Sequence, residues 1–434
     1  MPLAEVQSAR TVSPATRVAG ELSVPGDKSI AHRVLMLAAL AQGESWVHGL
    51  PEGEDVLATV ACLRAVGADL QRSGRTARIR GSGLSSFATP HGNLDCANSG
   101  TTMRLLLGIL AGSSISATLD GDASLRRRPM DRVIEPLRSM GARIESQEGR
   151  APIAVRGTSL QGRRYSLPIP SAQVKSALLV AGLSASGPTT VVESAPTRDH
   201  TERLLRAMGT DVQATPDGVV VRPSHQPLRA IELAVPGDFS SAAFWMTAAA
   251  LRPGWSVIIG DVGLNPTRTA FLALLRSMGA RVKVDGPSDD IEPRGMLTVT
   301  GERLRATVLG AADVAAAIDE IPALLVLATQ AEGVTTIEGA GELRVKESDR
   351  LATMAEGLRR MGAIVDERPD GVSIQGPAAL HGATVEAHGD HRVAMALAVA
   401  GLVASGPTTI EDADCVAVSY PNFFAQLQEL THET

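Results

Sequence analysis

The sequence is poor in cysteine, in aromatic residues and in long apolar runs, and each shortage excludes a class of protein. Its three cysteines, Cys62, Cys96 and Cys415, are odd in number and widely spaced, which fits neither a disulfide framework nor a metal site. Aromatic residues make up 3% of the chain, the net charge is -6 and no basic stripe occurs, which argues against a nucleic-acid surface. No apolar run approaches 18 residues, so no membrane span is predicted.

The start of the chain and its overall composition narrow the class further. The first twenty residues contain no apolar segment followed by a cleavage site, so no secretory signal is predicted and a cytoplasmic location is expected. Hydrophobic residues make up 44% of the 434 residues, which is enough apolar material for two domain cores of ordinary size. The composition therefore indicates a globular protein that binds neither nucleic acid nor membranes.

One phrase occurs five times, as LRAVGADLQ, LRSMGARIE, LRAMGTDVQ, LRSMGARVK and LRRMGAIVD. Its glycines are separated by 74, 68, 70 and 83 residues and are Gly67, Gly141, Gly209, Gly279 and Gly362. A helical pattern, a glycine and then alternating apolar residues predict a helix that ends at a left-handed glycine and leads directly into a strand. Because the spacing exceeds that of common solenoids, each repeat is predicted to be a small αβ module.

A second landmark gives the number of repeats. An alanine-rich helix, a turn and a β-branched strand are predicted six times, starting near His32, Thr101, Val174, Ser240, Ile321 and His391. The sixth repeat lacks the LRxMG phrase, because only FFAQLQEL and four further residues remain after Asn422. We therefore expect six repeats, with a strand from the N-terminal segment completing the last one.

A string that recurs after three repeats divides the six repeats into two groups. The strings VPGDKS at Val24 and VPGDFS at Val235 lie 211 residues apart, which is the length of three repeats. Two unrelated Pro-Gly turns would also explain these strings. This recurrence favours two domains of three repeats each, one formed by residues 25–235 and the other by residues 1–24 together with 236–434.

The helix starts carry the most suggestive residues. Six of them read GDKSIAHR, ANSGTTMR, PSAQVKS, GDFSSA, IDEIPA and GDHRVA. A helix N-terminus has unpaired N–H donors and a partial positive charge, so it suits phosphate and carboxylate groups. Lys28, Ser29 and Arg33 could bind one anion together, although N-capping by Asp27 beside solvated basic side chains is the alternative. Gly100 within a helix start favours close approach of a ligand to the backbone.

Two further segments concentrate charge where loops are expected. In GDASLRRRPMDR, the three consecutive arginines cannot all face one site, and a solvated run is the alternative. In ELRVKESDR, Lys346 and Arg350 would share a face if the segment were helical, which is unfavourable unless an anion lies between them. The pair Asp319-Glu320 either complements a helix dipole or supplies a general base.

Taken together, eight strings resemble the 5-enolpyruvylshikimate-3-phosphate synthase family, in its subgroup with PGDKSIAHR. They are PGDKSIAHR, NSGTTMR, GDASLRRRPM, PSAQVKSALL, TRDHTE, IDEIP, LRVKESDR and GDHRVAMA, and they span nearly the whole chain. The resemblance implies a mixed α/β (α+β) fold of six βαβαββ repeats, three per domain, as an inside-out α/β barrel with the active site in the interdomain cleft. It also implies transfer of the enolpyruvyl group of phosphoenolpyruvate to the 5-hydroxyl of shikimate 3-phosphate, with no cofactor and no metal.

The resemblance further implies which residues act. Shikimate 3-phosphate would be bound by Lys28, Ser29, Arg33, Ser171, Ala172, Gln173, Arg198, Asp319 and Lys346. Phosphoenolpyruvate would be bound by Lys28, Asn98, Gly100, Arg128, Gln173, Arg350 and Arg392. The catalytic residues would be Lys28, with Asp319 accepting the proton of the 5-hydroxyl and Glu347 protonating the methylene carbon and later removing a proton.

Three positions refine these expectations. Many members have a lysine where this chain has Val418, so one cation for phosphoenolpyruvate is missing. Ala172 stands where other members have a second serine, and Arg198 is expected to replace that contact with the phosphate. Gly100 has no methyl group, so inhibition by glyphosate is expected. A monomer is expected as well.

The alternatives differ in substrate or in class. UDP-N-acetylglucosamine enolpyruvyl transferase shares the six-repeat fold, but its loop cysteine has no counterpart in GDASLRRRPM, and Cys96 lies outside this loop. A non-catalytic αβ-repeat binding protein would leave the combination of Asp319, Lys346, Glu347 and Arg350 without a role.

Overall fold

The computed structural model describes residues 8–216, 218–223, 226–288 and 290–431. Its helices are α1 (Lys28–Leu40), α2 (Glu54–Ala65), α3 (Gly100–Ala111), α4 (Ala123–Arg127), α5 (Asp131–Ser139), α6 (Ala172–Gly182), α7 (His200–Ala207), α8 (Phe239–Ala250), α9 (Ala270–Ser277), α10 (Ala311–Ala316), α11 (Ile321–Gln330), α12 (Arg350–Arg360), α13 (His391–Gly401) and α14 (Phe423–Thr431). Short 3₁₀ helices are present at Leu84–Ser86, Gly341–Val345 and Ala413–Val418. No helix within these ranges is both long enough and apolar enough to span a membrane.

The strands of the same residues are short. They are β1 (Arg10–Val12), β2 (Ala19–Ser23), β3 (Ala41–His48), β4 (Asp69–Ser73), β5 (Thr76–Ser82), β6 (Leu94–Asp95), β7 (Ser116–Asp120), β8 (Arg143–Gln147), β9 (Arg150–Arg156), β10 (Arg164–Ser166), β11 (Thr189–Val192), β12 (Val212–Thr215), β13 (Gly218–Val221), β14 (Leu228–Arg229), β15 (Glu232–Ala234), β16 (Ser256–Gly263), β17 (Arg281–Asp285), β18 (Arg294–Thr300), β19 (Val308–Leu309), β20 (Gly333–Glu338), β21 (Ile364–Arg368), β22 (Gly371–Gly376), β23 (Thr384–Glu386) and β24 (Thr408–Glu411).

The chain divides into two compact units. The middle unit is Gly26–Pro236, and the terminal unit is Met1–Pro25 together with Gly237–Thr434. Both crossings lie within the VPGD strings, one residue later than the boundaries expected from the sequence. Strand β2 precedes the first string and pairs in parallel with β16 of the terminal unit. Strand β15 precedes the second string and pairs in parallel with β3 of the middle unit. Each strand thus belongs to the unit that lies before the crossing.

Six sheets within the described residues correspond to the six repeats. The middle unit contains β14-β3-β5-β4 with β15 beside β3, β6-β7-β9-β8, and β10-β11-β13-β12. The terminal unit contains β17-β18-β16-β2, β19-β20-β22-β21, and β1-β24-β23. The predicted mixed α/β fold is confirmed, with one correction. The described strands of each unit form three separate sheets, and none of these sheets closes into a barrel.

The N-terminal strand completes the sixth repeat, as the sequence predicts. Strand β1 pairs antiparallel with β24, from Arg10 opposite Ile410 to Val12 opposite Thr408. This sheet has three strands because the sixth repeat has no LRxMG phrase to supply the final hairpin. The β1 strand covers an edge of β24 that would otherwise expose unpaired backbone groups.

The alanine-rich helices form the cores. Every residue of α8 and of α13 is buried, and α1, α3, α6 and α11 are buried along nearly their whole length. In the terminal unit α8, α11 and α13 contact one another, and in the middle unit α3 contacts both α1 and α6. Small alanine side chains let these helices approach closely, so each unit has a helical interior with sheets packed against it.

The five copies of the repeated phrase adopt the same local structure. Each of its glycines has a positive φ, from 91° at Gly67 to 107° at Gly279, and its N–H donates to the carbonyl of the arginine three residues earlier. The N–H of the residue after the glycine donates to the carbonyl of the leucine five positions before that residue, which completes a Schellman motif. The arginine side chain also donates to the carbonyl six residues onward, as from Arg64 to Leu70 at 2.9 Å. The phrase therefore fixes the helix end and the following strand together.

Two of these glycines should respond differently to alanine. At Gly141 an added Cβ would lie 3.7 Å from the nearest atom, whereas at Gly279 it would lie 2.7 Å from the backbone oxygen of Arg303. We expect Gly141→Ala to cost about 1 kcal/mol, the strain of a left-handed alanine, and Gly279→Ala to cost about 2 kcal/mol or more. Urea unfolding curves of both variants test this. Equal losses would show that the Arg303 carbonyl moves away without cost.

Candidate functional site

All six predicted helix starts begin helices, namely α1, α3, α6, α8, α11 and α13. Five of them have a side-chain cap on a backbone N–H, given by Asp27, Ser99, Ser171, Asp238 and Asp390. The sixth, α11, follows Glu320 without such a bond and has Pro322 in its first turn. A cap satisfies only one or two of the four unpaired N–H groups at a helix start, so the others remain for a ligand.

The predicted site residues fall into two sets, one in each unit. The middle unit contains Lys28, Ser29, Arg33, Asn98, Gly100, Arg128, Ser171, Ala172, Gln173 and Arg198. The terminal unit contains Asp319, Lys346, Glu347, Arg350 and Arg392. Within each unit, side-chain bonds join members of its set.

In the middle unit, Lys28 is held by a carboxylate that the sequence analysis missed. Lys28 Nζ lies 2.7 Å from Asp55 Oδ2, and Asp55 is 6% exposed in the first turn of α2. The two residues are 27 apart in the chain, so no local spacing indicates the pair. The buried carboxylate fixes the ammonium at the start of α1.

Ser29 and Arg33 connect α1 to the other helix starts. Arg198 Nη1 donates to Ser29 Oγ at 3.0 Å. The Arg33 guanidinium, 3% exposed, donates to the Ala172 carbonyl at 3.4 Å and to Ser176 Oγ at 2.9 Å, both in α6. Arg33 therefore also holds α1 against α6.

Gly100 lies beneath two guanidinium groups. A Cβ placed on Gly100 would lie 2.7 Å from Arg104 Nη1 and 3.4 Å from Arg128 Nη1. Arg104 also donates to Gln173 Oε1 at 2.6 Å, and Gln173 Nε2 donates to Thr101 Oγ1 at 2.9 Å. A helix N-terminus, two cations and a missing side chain together make a place for an anion. Arg104 lies in the NSGTTMR string, but no local pattern in the sequence marks it as a site residue.

The arginine run behaves as expected for a mostly solvated segment. Its predicted loop contains the short helix α4, in which Arg126 and Arg127 are exposed, while Arg128 is 8% exposed. Arg128 Nη2 donates to Asn98 Oδ1 at 2.6 Å, and Asn98 Nδ2 donates to Asp122 Oδ2 at 2.8 Å. One of the three arginines thus reaches the start of α3.

A buried histidine links helices α1, α2 and α3. His32 Nδ1 lies 2.6 Å from Thr59 Oγ1, which lies 2.7 Å from Thr102 Oγ1, which donates to Ser99 Oγ at 2.7 Å. Burial, followed by the charges of Lys28 and Arg33, lowers the pKa of His32 well below its usual value. A neutral imidazole therefore supports the turn that carries Gly100.

This histidine predicts a pH dependence of stability. Its pKa is lowered in the folded protein, so below about pH 6.5 the unfolded chain takes up a proton that the folded chain does not. Stability should therefore fall as the pH drops below 6.5, with a contribution of at most about 1.4 kcal/mol per pH unit. Urea unfolding of the wild type and of His32→Asn between pH 5 and 8 measures this contribution. Parallel curves for the two proteins would contradict it.

In the terminal unit, Arg350 binds three carboxylates. Its guanidinium, 2% exposed, donates to Asp390 Oδ2 at 2.7 Å, to Asp319 Oδ1 at 3.4 Å and to Glu347 Oε2. Burial alone would lower the pKa of Arg350, but the charges of Asp390, Glu347 and Asp319 outweigh it and raise the pKa above its ordinary value. Asp390, the cap of α13, was missed as a partner because it lies 40 residues away.

Asp319 is shared between two arginines. Arg392 Nη1 donates to the Asp319 carbonyl at 3.1 Å, and Arg392 Nε lies 3.7 Å from Asp319 Oδ1. Lys346 instead donates to Glu342 Oε1 at 3.2 Å. Lys346 and Arg350 do not share one helix, because a 3₁₀ helix ends at Val345 and α12 begins at Arg350. Lys346 and Arg350 therefore do not share a helix face, because the segment is not one continuous helix.

A buried network holds Glu320, next to Asp319. Glu320, 1% exposed, accepts from Ser240 Oγ, and Arg268 Nη1 lies 3.5 Å from its Oε1. Arg268 Nη2 also donates to Ser240 Oγ at 2.6 Å. Of the carboxylate pair, Glu320 is thus structural and fixes the start of α11, while Asp319 faces Arg350 and Arg392.

Two further observations concern cations near the site. The 3₁₀ helix that ends at Val418 has the sequence ADCVAV and carries no basic side chain. Among the residues that the structure describes, no group of three or more His, Cys, Asp or Glu side chains could hold a metal ion. The positive charge described at the site belongs to lysine and arginine side chains and to helix starts.

Comparison with known proteins gives one consistent result. The family model "EPSP synthase (3-phosphoshikimate 1-carboxyvinyltransferase)" matches residues 12–427. A 3-phosphoshikimate 1-carboxyvinyltransferase of Gloeobacter violaceus is 51% identical over 98% of this chain and 99% of its own, and one of Herpetosiphon aurantiacus is 47% identical over 97% and 99%.

Solved structures agree with the sequence comparisons. An EPSP synthase structure from Acinetobacter baumannii superposes with a TM-score of 0.87 at 41% identity, covering 99% of both chains. The matches extend over both units and all six sheets, so they concern the whole chain and not one module. The chain belongs to the EPSP synthase (3-phosphoshikimate 1-carboxyvinyltransferase) family.

Proposed function

We propose that this chain transfers the enolpyruvyl group of phosphoenolpyruvate to the 5-hydroxyl of shikimate 3-phosphate and releases phosphate. Family membership supports the reaction, and the observation that carries it is the Arg350 cluster. Its guanidinium bonds Asp319 and Glu347 at once, which combines two proton-transfer groups with a cation for an anionic substrate. Both sets of site residues would serve this reaction.

Shikimate 3-phosphate would be bound mainly by the middle-unit helix starts. Lys28, Ser29, Ser171, Gln173 and Arg198 offer an ammonium, hydroxyls, an amide and a guanidinium to its phosphate and hydroxyl groups. The remaining expected contacts are with Arg33, Ala172, Asp319 and Lys346. Arg198 already donates to Ser29 Oγ, which supports a shared role of these two residues toward one phosphate.

Phosphoenolpyruvate would be bound at Gly100. The helix start, Arg128 and Lys28 would receive its phosphate or carboxylate in the middle unit, beside Asn98 and Gln173, and Arg350 and Arg392 would bind it from the terminal unit. Arg104, which lies over Gly100 with Arg128, adds a cation that the sequence analysis did not assign.

The chemistry needs two proton movements. Asp319 would accept the proton of the 5-hydroxyl while its oxygen bonds to C2 of phosphoenolpyruvate, and Glu347 would protonate C3. In the second step Glu347 would remove a proton from C3 as the C2–O bond to phosphate breaks. Lys28 and the arginines would stabilise the phosphate as it leaves. Asp319, protonated in the addition step, would return this proton to the phosphate as it leaves, so both carboxyl groups end in the state in which they began.

A phosphate-release assay tests this function. The purified chain is given phosphoenolpyruvate with shikimate 3-phosphate, with UDP-N-acetylglucosamine, or with neither. We expect phosphate only with shikimate 3-phosphate, and an enolpyruvyl ether in the product. Release with only the sugar nucleotide would replace the proposed function by that of the UDP-N-acetylglucosamine enolpyruvyl transferases.

Gly100 also predicts how the protein responds to glyphosate. A glycine at this position leaves the space beside Arg104 and Arg128 open, whereas an alanine Cβ would meet Arg104 at 2.7 Å. We expect glyphosate to inhibit in competition with phosphoenolpyruvate, and Gly100→Ala to weaken inhibition at least tenfold. Initial rates with both compounds varied measure this. Inhibition only far above the phosphoenolpyruvate KM would contradict the prediction.

A further inference from the structure

A buried lysine outside the predicted site holds the loop that carries Arg198. Lys175, 2% exposed in α6, has its Nζ 2.8 Å from Glu193 Oε2 and 2.8 Å from Glu202 Oε1, and it donates to the Thr197 carbonyl at 3.2 Å. We call Lys175, Glu193, Thr197 and Glu202 the Lys175 clamp. Three acceptors surround an ammonium that has three N–H groups.

The Lys175 clamp contacts both ends of the loop between β11 and α7. Glu193 directly follows β11, and Glu202 lies in the first turn of α7. Thr197 lies between them, and its hydroxyl also donates to Glu193. The loop between β11 and α7 is therefore tied at its beginning, its middle and its end to one side chain of α6.

A second set of bonds reinforces the same attachment. Thr201 Oγ1 donates to Ser176 Oγ at 2.7 Å, and Arg33 Nε donates to Thr201 Oγ1 at 3.0 Å. Lys175 and Ser176 are adjacent in α6, as Thr201 and Glu202 are in α7. The start of α7 is thus bonded to α6 through two neighbouring pairs.

Arg198 lies next to Thr197 on this loop, and its guanidinium reaches Ser29 Oγ at 3.0 Å. An arginine on a loop binds a phosphate well only if the backbone beneath it is held in place, because otherwise part of the binding free energy is lost in ordering the loop. Ser171 caps the helix that contains Lys175, and Gln173 lies in the first turn of this helix. The clamp therefore keeps a fixed distance between Arg198 and the start of α6.

We propose that the Lys175 clamp is a positioning element that sets the affinity for the phosphorylated acceptor by holding Arg198, and that it has no part in binding phosphoenolpyruvate. This inference rests on the proposed function. One carboxylate would be enough to neutralise the buried ammonium, so the second carboxylate is not needed for charge balance. The second carboxylate lets the same cation hold both ends of the loop.

The test uses Glu193→Gln and Glu202→Gln, which keep the side-chain shape and leave one carboxylate on Lys175. Each should raise the KM for shikimate 3-phosphate by about tenfold, the order expected when one member of a buried charged network is neutralised. The KM for phosphoenolpyruvate and kcat should stay within about twofold. Glu135→Gln, which neutralises an exposed acid of the same unit, is the matched control and should change none of these values.

Combination with Arg198→Ala separates positioning from general stability. Arg198→Ala alone should raise the KM for shikimate 3-phosphate far more than that for phosphoenolpyruvate. If the clamp acts through Arg198, adding Glu202→Gln to Arg198→Ala should produce no further increase. Independent, multiplying effects would overturn the inference, as would a fall in kcat with both KM values unchanged.

Two controls distinguish the role of the clamp from a folding defect and from failure of the proposed function. If a single variant is poorly folded, the neutral triple variant Lys175→Met, Glu193→Gln, Glu202→Gln removes all three charges and should give the same selective rise in KM. An unchanged KM in a folded triple variant would overturn the inference. If the wild type released no phosphate from its two substrates, the proposed function itself would fail, whereas independent effects in an active enzyme would remove only the role of the clamp.

Discussion

Replacing Arg350 by methionine is expected to destabilise the protein by about 3–5 kcal/mol, the cost of breaking a buried ion pair from one side. Its guanidinium is the common partner of Asp319, Glu347 and Asp390, and it is 2% exposed. Without it, three carboxylates lie close together with much of their compensating charge removed. Repulsion between them should move the segment before α12 and the start of α13 apart.

Urea unfolding of Arg350→Met measures this loss. Arg360→Met is the matched control, because Arg360 lies in the same helix but is exposed and pairs only with Glu356 among its described contacts. The control should change stability by less than about 0.5 kcal/mol. Adding Asp390→Asn to Arg350→Met should restore part of the loss, because asparagine still caps α13 while one buried charge disappears. A loss below about 1 kcal/mol for Arg350→Met would show that the cluster is well solvated.

The repeat architecture could be predicted because its signals are local. The C′ glycine of LRxMG and the arginine three residues before it act within about ten residues of chain, so the sequence displays them directly. N-capping residues likewise lie beside the helix that they cap. The strand supplied by the N-terminal segment could be predicted by counting, since the sixth repeat lacked one.

The contacts that hold the site could not be predicted in the same way. Lys28 and Asp55 are 27 residues apart, and Arg350 and Asp390 are 40 apart. The partners of Lys175 likewise lie in a different element. Such pairs depend on how repeats pack together, and neither periodicity nor capping encodes that packing. The family resemblance named residues expected to touch substrate, whereas Asp55 and Asp390 bond two of those residues, Lys28 and Arg350.

The ELRVKESDR segment shows how a local pattern can mislead. A spacing of four between Lys346 and Arg350 indicates a shared helix face, but Asp349 caps a new helix by accepting from Ala352 N at 3.0 Å. The break turns Lys346 toward Glu342 and leaves Arg350 at the first position of α12, facing Asp319 and Glu347. The cap decides the geometry here, and it also separates the two cations.

Glu347→Gln is expected to lower kcat by about 10²–10⁴, the usual contribution of a general acid or base, with little change in either KM. Glutamine has the same shape and can still accept from Arg350, so binding should persist while proton transfer to C3 is lost. Asp319→Asn should lower kcat as well, because the 5-hydroxyl then has no base. The matched control is Glu356→Gln, an exposed acid of α12, which should leave kcat unchanged.

Isotope exchange separates the two carboxylates. In D₂O the wild type should place deuterium on C3 through the reversible addition step, and Glu347→Gln should lose this exchange because its side chain cannot deliver the deuteron. A Glu347→Gln variant that keeps kcat within threefold and still exchanges would remove Glu347 from the reaction. Arg350 favours the charged form of its neighbours, so Glu347 needs a reason to become a donor. Under the proposed function, an anionic substrate bound to Arg350 would supply one, because it would share the positive charge and make the protonated carboxyl easier to form.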